Sequence, residues 1–239
     1  PLIRKDICEL IEFIDKDKSV VSIFTNGWFL KDRARELKKA GVMMVNTSID
    51  SADPEVHDKF RKLPGIFNRA IEGIEECQKI GLLTSISTTL TQQDLVNGNF
   101  EKMIVFAKEM KVNELIVFDT MPIGMYSHRE DLSKNKIDRI KLFSLVDKYN
   151  KDKDFPGIFC YAHFRDQSTF GCSAGRNFFY VTPYGEICPC DFTAKPIGSI
   201  LNELLPSLWF KLTEERKNMS GKYVNECCNQ EHIRVKINK

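Results

Sequence analysis

Apolar positions in the first 150 residues switch repeatedly between two spacings. Ile7, Ile11 and Ile14 recur at the period of one helix face, with Leu10 beside them. Ser19–Phe24 (SVVSIF) is a short β-branched run of the kind that fills a buried strand. Lys31–Ala40 returns to the helical period and stops at Gly41, where a glycine suits the left-handed cap. Met43–Ile49 then predicts a strand, Ile66–Ile80 a helix ended by Gly81, and Leu83–Leu90 a strand. Phe100–Met110 predicts a helix, Glu114–Phe118 a strand and Ser133–Asn150 a long amphipathic helix. Buried-type strands alternating with helices predict a parallel sheet with crossover helices.

The rhythm changes after Lys151–Pro156 (KDKDFP), which reads as a linker. Phe159–Phe164 and Phe178–Thr182 are aromatic-rich strand candidates. Pro183-Tyr184-Gly185 is a turn that makes a hairpin with Glu186–Cys190, and Leu201–Asn218 is the last clear helix. The pattern therefore divides the chain into residues 1–152 and 157–239.

Composition narrows the partners. The 239 residues are 42% hydrophobic and 28% charged, ordinary for a globular chain with a real core. A net charge of +2 gives no argument for nucleic acid or a membrane surface, and no apolar run is long enough to span a bilayer. Neither partner is expected. Of eight cysteines, Cys172, Cys188, Cys190, Cys227 and Cys228 fall in the last third. Gathered thiolates suit iron or zinc. The adjacent Cys227-Cys228 pair and the lack of an export signal point to a reducing, cytoplasmic setting. A start at Pro1-Leu2-Ile3 without Met reads as a cut chain. Cys8 and Cys77 sit in helical patterns and read as core, as do Cys160 and His163.

Parallel α/β architectures carry their chemistry at the C-terminal ends of strands. Thr25-Asn26-Gly27, Ser48-Ile49-Asp50, Thr88-Thr89 and Pro122-Ile123-Gly124 stand at four such ends. Any one of them alone also reads as a turn or cap. No GxGxxG and no GxxxxGK[ST] spacing occurs, which removes support for a dinucleotide or P-loop site.

Three stretches in order, Phe24–Leu30 (FTNGWFL), Val45–Arg61 (VNTSIDSADPEVHDKFR) and Gly65–Gly81 (GIFNRAIEGIEECQKIG), resemble the core of a radical S-adenosylmethionine (SAM) enzyme. Pro1-Leu2 resembles the end of that family's Gly-Gly-Glu-Pro-Leu segment. The region from Cys172 through Gly185–Cys190, Gly198-Ser199-Ile200 and Trp209 to Cys228 resembles the SPASM or twitch auxiliary-cluster domain. The resemblance implies an α/β fold: a partial (β/α) TIM-like barrel over 1–152 and a small cysteine-rich α+β domain over 157–239.

The resemblance also implies roles. Thr25 and Asn26 would sit beside the SAM methionine or its cluster, and Ser48 and Asp50 near the ribose. Thr88 and Thr89 would lie near the ribose or adenine, and Arg61 would meet the SAM carboxylate. Arg61 could instead pair with Asp58 or Glu55, and His57 reads as a helix-cap or surface residue. Cys172, Cys190 and Cys228 match auxiliary 4Fe-4S ligands; Cys188 and Cys227 are further candidates, His232 and Gln230 could cap the site, and zinc is the alternative metal. The family's CxxxCxxC loop is absent from the sequence, so this stretch is not expected to cleave SAM itself. The parent enzyme is expected to modify a peptide or tetrapyrrole-type substrate, fed by a donor such as ferredoxin or flavodoxin. Tyr126, His128, Arg129 and the Tyr184 hairpin are the specificity candidates. A non-catalytic, zinc- or cluster-stapled binding module for protein or peptide is the competing reading.

Overall fold

The computed structural model describes residues 1–121, 137–166, 169–192 and 195–223. Among these, residues 1–120 and 137–160 form one compact unit, and residue 121 with 161–223 belongs to a second.

The first unit is built on five parallel strands in the order β1-β2-β3-β4-β5: Ser22–Thr25, Met44–Ser48, Leu83–Leu90, Glu114–Asp119 and Gly157–Cys160. The strand order follows the chain, and among the described residues the sheet does not close. This is the parallel sheet that the alternation predicts, in the open, partial (β/α) barrel that the resemblance implies. Helix α1 (Ile7–Glu12) precedes β1, and between strands run α2 (Leu30–Ala40), α3 (Pro54–Arg61), α4 (Ile66–Lys79), α5 (Gln92–Val96), α6 (Asn99–Glu109) and α7 (Arg139–Asn150).

Strand registers assign the two faces. Val45, Thr47 and Ile49 with Thr84, Ile86 and Thr88 form a buried face. The opposite face carries Asn46 beside Ser85 and Ser48 beside Ser87. Leu30, Ala34, Leu37, Val45 and Cys77 belong to one buried cluster, so Cys77 is core as its pattern implies. Helices α2 and α4 pack tightly because Gly73 has no side chain: a Cβ there would stand 2.7 Å from Leu30 Cβ.

Side chains set the starts of α3 and α7, as Thr91 does for α5. Asp53 caps α3 by accepting from Glu55 and Val56 backbone N–H groups, with Pro54 in the first turn. Asp138 caps α7 by accepting from the Lys141 N–H, so that helix begins at Arg139 rather than Ser133; residues 133–136 lie outside the described residues.

The segment expected as a strand over Phe159–Phe164 divides. Gly157–Cys160 is β5, paired with β4 through Ile158↔Leu115, and Ile158 and Cys160 are buried. From Tyr161 to Arg165 the chain is a 3-10 turn. The break puts the following aromatics into a separate group, with Tyr161 against Phe192 and Phe164 against Phe170. Aromatic density over the whole run gave one strand signal, yet only its first half lies in the ladder.

The second unit contains a three-stranded antiparallel sheet, β6 (Tyr180–Val181), β7 (Glu186–Cys188) and β8 (Gly198–Ser199). The expected hairpin closes through Thr182, which accepts at its hydroxyl from the Tyr184 and Glu186 N–H groups. Helix α8 (Leu205–Tyr223) starts four residues later than expected, at the Leu205-Pro206 step. Its Leu208 and Leu212 are buried with Ile187.

Candidate functional site

Asp50 is the centre of the strand-end site. It lies two residues beyond β2, with its side chain only 6% exposed. Its Oδ2 accepts from Arg61 Nε at 2.6 Å, and its Oδ1 accepts from the Thr89 backbone N–H at 3.1 Å. The loop after β2, the last turn of α3 and the end of β3 are thereby tied to one carboxylate. Because Asp50 takes only the Nε side of the guanidinium, the outer nitrogens of Arg61, whose side chain is 30% exposed, remain able to receive a second carboxylate. Phe60 lies under the Arg61 head, 5.9 Å from ring centroid to guanidinium carbon.

The HDxxR run now has a physical reading. His57 Nδ1 accepts from the Asp50 backbone N–H at 3.1 Å, which holds the loop against α3. Asp58 accepts from the Gly65 and Phe67 N–H groups at the start of α4, and those bonds lower its pKa. Arg61 holds Asp50 itself. Expected partners Asp58 and Glu55 are therefore not the ones Arg61 takes. His57 corrects the sequence reading more sharply: it is fully buried, not a surface residue. Burial drives its pKa below the usual value near 6.5, so it stays neutral. Since Nδ1 accepts, the proton is on Nε2, which has no hydrogen-bond partner among the described residues.

The remaining strand-end residues divide by face. Ser48 joins Ser87 hydroxyl to hydroxyl at 3.3 Å on the same face as Asn46, whose buried Oδ1 has no hydrogen-bond partner among the described residues. Asn46 and Ser87 were missed by reading strand ends alone; strand alternation two residues back from Ser48 and Thr89 points to both. Thr88 stands on the opposite, buried face. Thr25 is buried, with its hydroxyl accepting from the Gly27 N–H, while Asn26 is exposed and accepts from the Trp28 N–H. The site thus gathers Ser48, Asp50, Arg61 and Thr89 and leaves Thr25 and Thr88 turned away. Pro122, Ile123, Gly124, Tyr126, His128 and Arg129 lie outside the described residues.

In the second unit Cys172 and Cys190 share a buried cluster with Ala174, lined by Phe178 and Phe192. Cys188 is buried at the end of β7, where burial, with Glu186 adding to it, raises its thiol pKa. Tyr161 is beside them, its phenol pushed up to about 12 by burial, then by Asp191 and Cys190. The Cys172 loop is held from α8. Arg216 donates to the Ala174 carbonyl, to the Cys172 carbonyl at 2.7 Å and to Cys172 Sγ at 3.7 Å. Cys227, Cys228, Gln230 and His232 lie outside the described residues. Among the described residues no three His, Cys, Asp or Glu side chains converge on a metal position.

The first unit is thus a parallel α/β sheet with an acid-held arginine at its strand ends, and the second carries buried cysteines. Residues 1–107 match the family described as Radical SAM superfamily. The chain is 27% identical over 248 residues to an AdoMet-dependent heme synthase of Methanosarcina barkeri, covering 93% of this chain and 70% of that one. It is 35% identical over 158 residues to a GTP 3',8-cyclase of Rhizobium leguminosarum bv. trifolii, covering 62% of this chain and 44% of the relative. The matched family implies a 4Fe-4S cluster and SAM. Among solved structures, Streptococcus suis SuiB bound to precursor peptide SuiA matches with a TM-score of 0.66 at 17% identity, over 86% of this chain and 51% of that one. Native anSMEcpe with bound AdoMet and Kp18Cys peptide matches at 0.57 and 18%, over 82% and 59%. The chain therefore spans about half the length of the solved structures it matches, and those matches carry the fold. No helix among the described residues is long and apolar enough to cross a membrane.

Proposed function

We propose that this chain is the SAM-holding and auxiliary-cluster part of a radical SAM enzyme that modifies a peptide or tetrapyrrole-type substrate. The Arg61 fork, oriented by Asp50, would take the SAM carboxylate; Ser48, Ser87 and Asn46 offer neutral hydrogen-bonding groups suited to a ribose. SAM, once reductively cleaved, supplies a carbon radical. The chain carries no CxxxCxxC spacing, so the cleaving cluster is not assigned to these 239 residues.

The observation that carries the second half is the meeting of Cys172 and Cys190, 18 positions apart, in one buried cluster with a cationic donor on the Cys172 sulfur. A buried thiol pair under an arginine suits anionic sulfur ligands. Cys188, Cys227 and Cys228 are the candidates for completing the set. The heme synthase relatives favour a tetrapyrrole substrate, while the peptide-bound neighbours support the peptide alternative through the fold alone. A ferredoxin- or flavodoxin-type donor fits a reductively started reaction.

Iron, sulfide and zinc content of the anaerobically purified chain tests the reading. About four iron and four sulfide per chain are expected. Cys172→Ala combined with Cys190→Ala should remove them, and Cys77→Ala should leave them. One zinc without sulfide would replace this reading with the zinc-stapled binding module.

A further inference from the structure

Helix α8 presents Leu208, Leu212 and Arg216 at four-residue spacing, and so on one face. The first two are core residues against Ile187. A third apolar residue would simply extend that stripe. Arginine stands there instead, and its head reaches three acceptors of the Cys172 loop: two carbonyls and the sulfur. The same loop is pressed onto the helix one turn earlier, where a Cβ on Gly175 would lie 3.3 Å from Leu212 Cγ. The guanidinium is planar and permanently charged, so three acceptors fix both its position and its field.

We infer that Arg216 is a positioning residue that raises the reduction potential of the auxiliary cluster held by Cys172 and Cys190, resting on the cluster reading above. The one-electron reduced state carries one more negative charge than the oxidised state. A cation donating to a ligand sulfur stabilises the more negative state, because hydrogen bonds to sulfur and net charge set the potentials of such clusters. A residue that only braced the loop would need the two carbonyl contacts and no approach to sulfur.

The test uses the full chain, with iron and sulfide measured first and the cluster potential then followed by electron paramagnetic resonance during a redox titration. Arg216→Gln removes the charge; Arg216→Lys keeps it on a head that cannot span all three acceptors. Both are expected to hold the wild-type iron and sulfide. The glutamine variant should titrate at a clearly lower potential, and the lysine variant between it and wild type. Unchanged potential in an iron-replete glutamine variant would overturn the inference. If that variant sheds its iron, the lysine variant decides, and a wild-type potential there overturns it equally. Loss of iron from both would leave Arg216 as a brace alone. A wild-type chain without iron would instead sink the cluster reading, a result visible before any variant is made.

Discussion

At the scale of single residues, His57 shows where sequence pattern misleads and why. Val56 and Phe60 stand at four-residue spacing and look like the apolar face of α3. Yet they are 55% and 50% exposed, while His57 is fully buried. The loop carrying Asp50 needs an acceptor for its N–H, and the Phe60 ring is used under Arg61. Local hydrogen bonding outranks amphipathic pattern here, and no periodicity count could show it. The ion pair partner of Arg61 was hidden for a related reason: Asp50 is 11 positions away, brought near only by the return of the chain through α3. A pH dependence follows. The folded chain holds His57 below its ordinary value near 6.5, so the unfolded chain takes up the proton first as pH falls. Its contribution to stability is complete above pH 6.5 and is lost as pH falls toward the lower folded value. Asp50, Arg61 and Asp58 are the charged groups acting on it. Denaturant unfolding between pH 7 and about 5 should show a fall in wild type that is shallower in His57→Gln, whose amide oxygen can still accept from Asp50. Parallel curves would remove His57 from the explanation.

At the scale of elements, the strand–helix alternation was legible because buried parallel strands leave apolar runs and crossover helices leave a 3.6-residue period. The order β1 to β4 follows directly from it. The strand expected at Phe159 was placed too late and too long, because the four residues of β5 run into the aromatic turn that follows, and α5, which rests on a local Thr91–Asp94 capping box, escaped. The turn after β1 was legible as Asn-Gly, but its reason is tertiary. Gly27 has φ +88°, and a Cβ there would lie 2.7 Å from the backbone of Ala70 on α4. Gly98 has φ +73° with nothing near. Gly98→Ala should therefore cost about 1 kcal/mol from conformation alone, and Gly27→Ala about 2 kcal/mol or more, since helix backbone cannot yield. Equal losses in chemical denaturation would mean that the close approach to α4 contributes nothing.

At the scale of the whole molecule, β1 pairs only with β2 among the described residues. Its open side adjoins a groove of about 310 Å³ lined by Ile7, Leu10, Ile11, Ile14, Ile23 and Phe24. Phe24 is 45% exposed on that strand. An open apolar strand edge templates further pairing. The isolated chain is expected to self-associate with rising concentration in sedimentation velocity. Ile14→Lys, a half-exposed position, should weaken that association with a stability change within about 0.5 kcal/mol. A wild-type monomer at every concentration would show that the edge is satisfied within the chain. The short helix α3 has a different consequence. Asp53 caps it, His57 and Arg61 fasten it to the Asp50 loop, and Asp58 starts the next helix. One inserted or deleted residue inside Asp53–Arg61 would swing every later anchor by about 100° and miss all of them at once. Substitution at its unanchored positions, such as Lys59, should therefore be tolerated far better than any change in the length of the stretch.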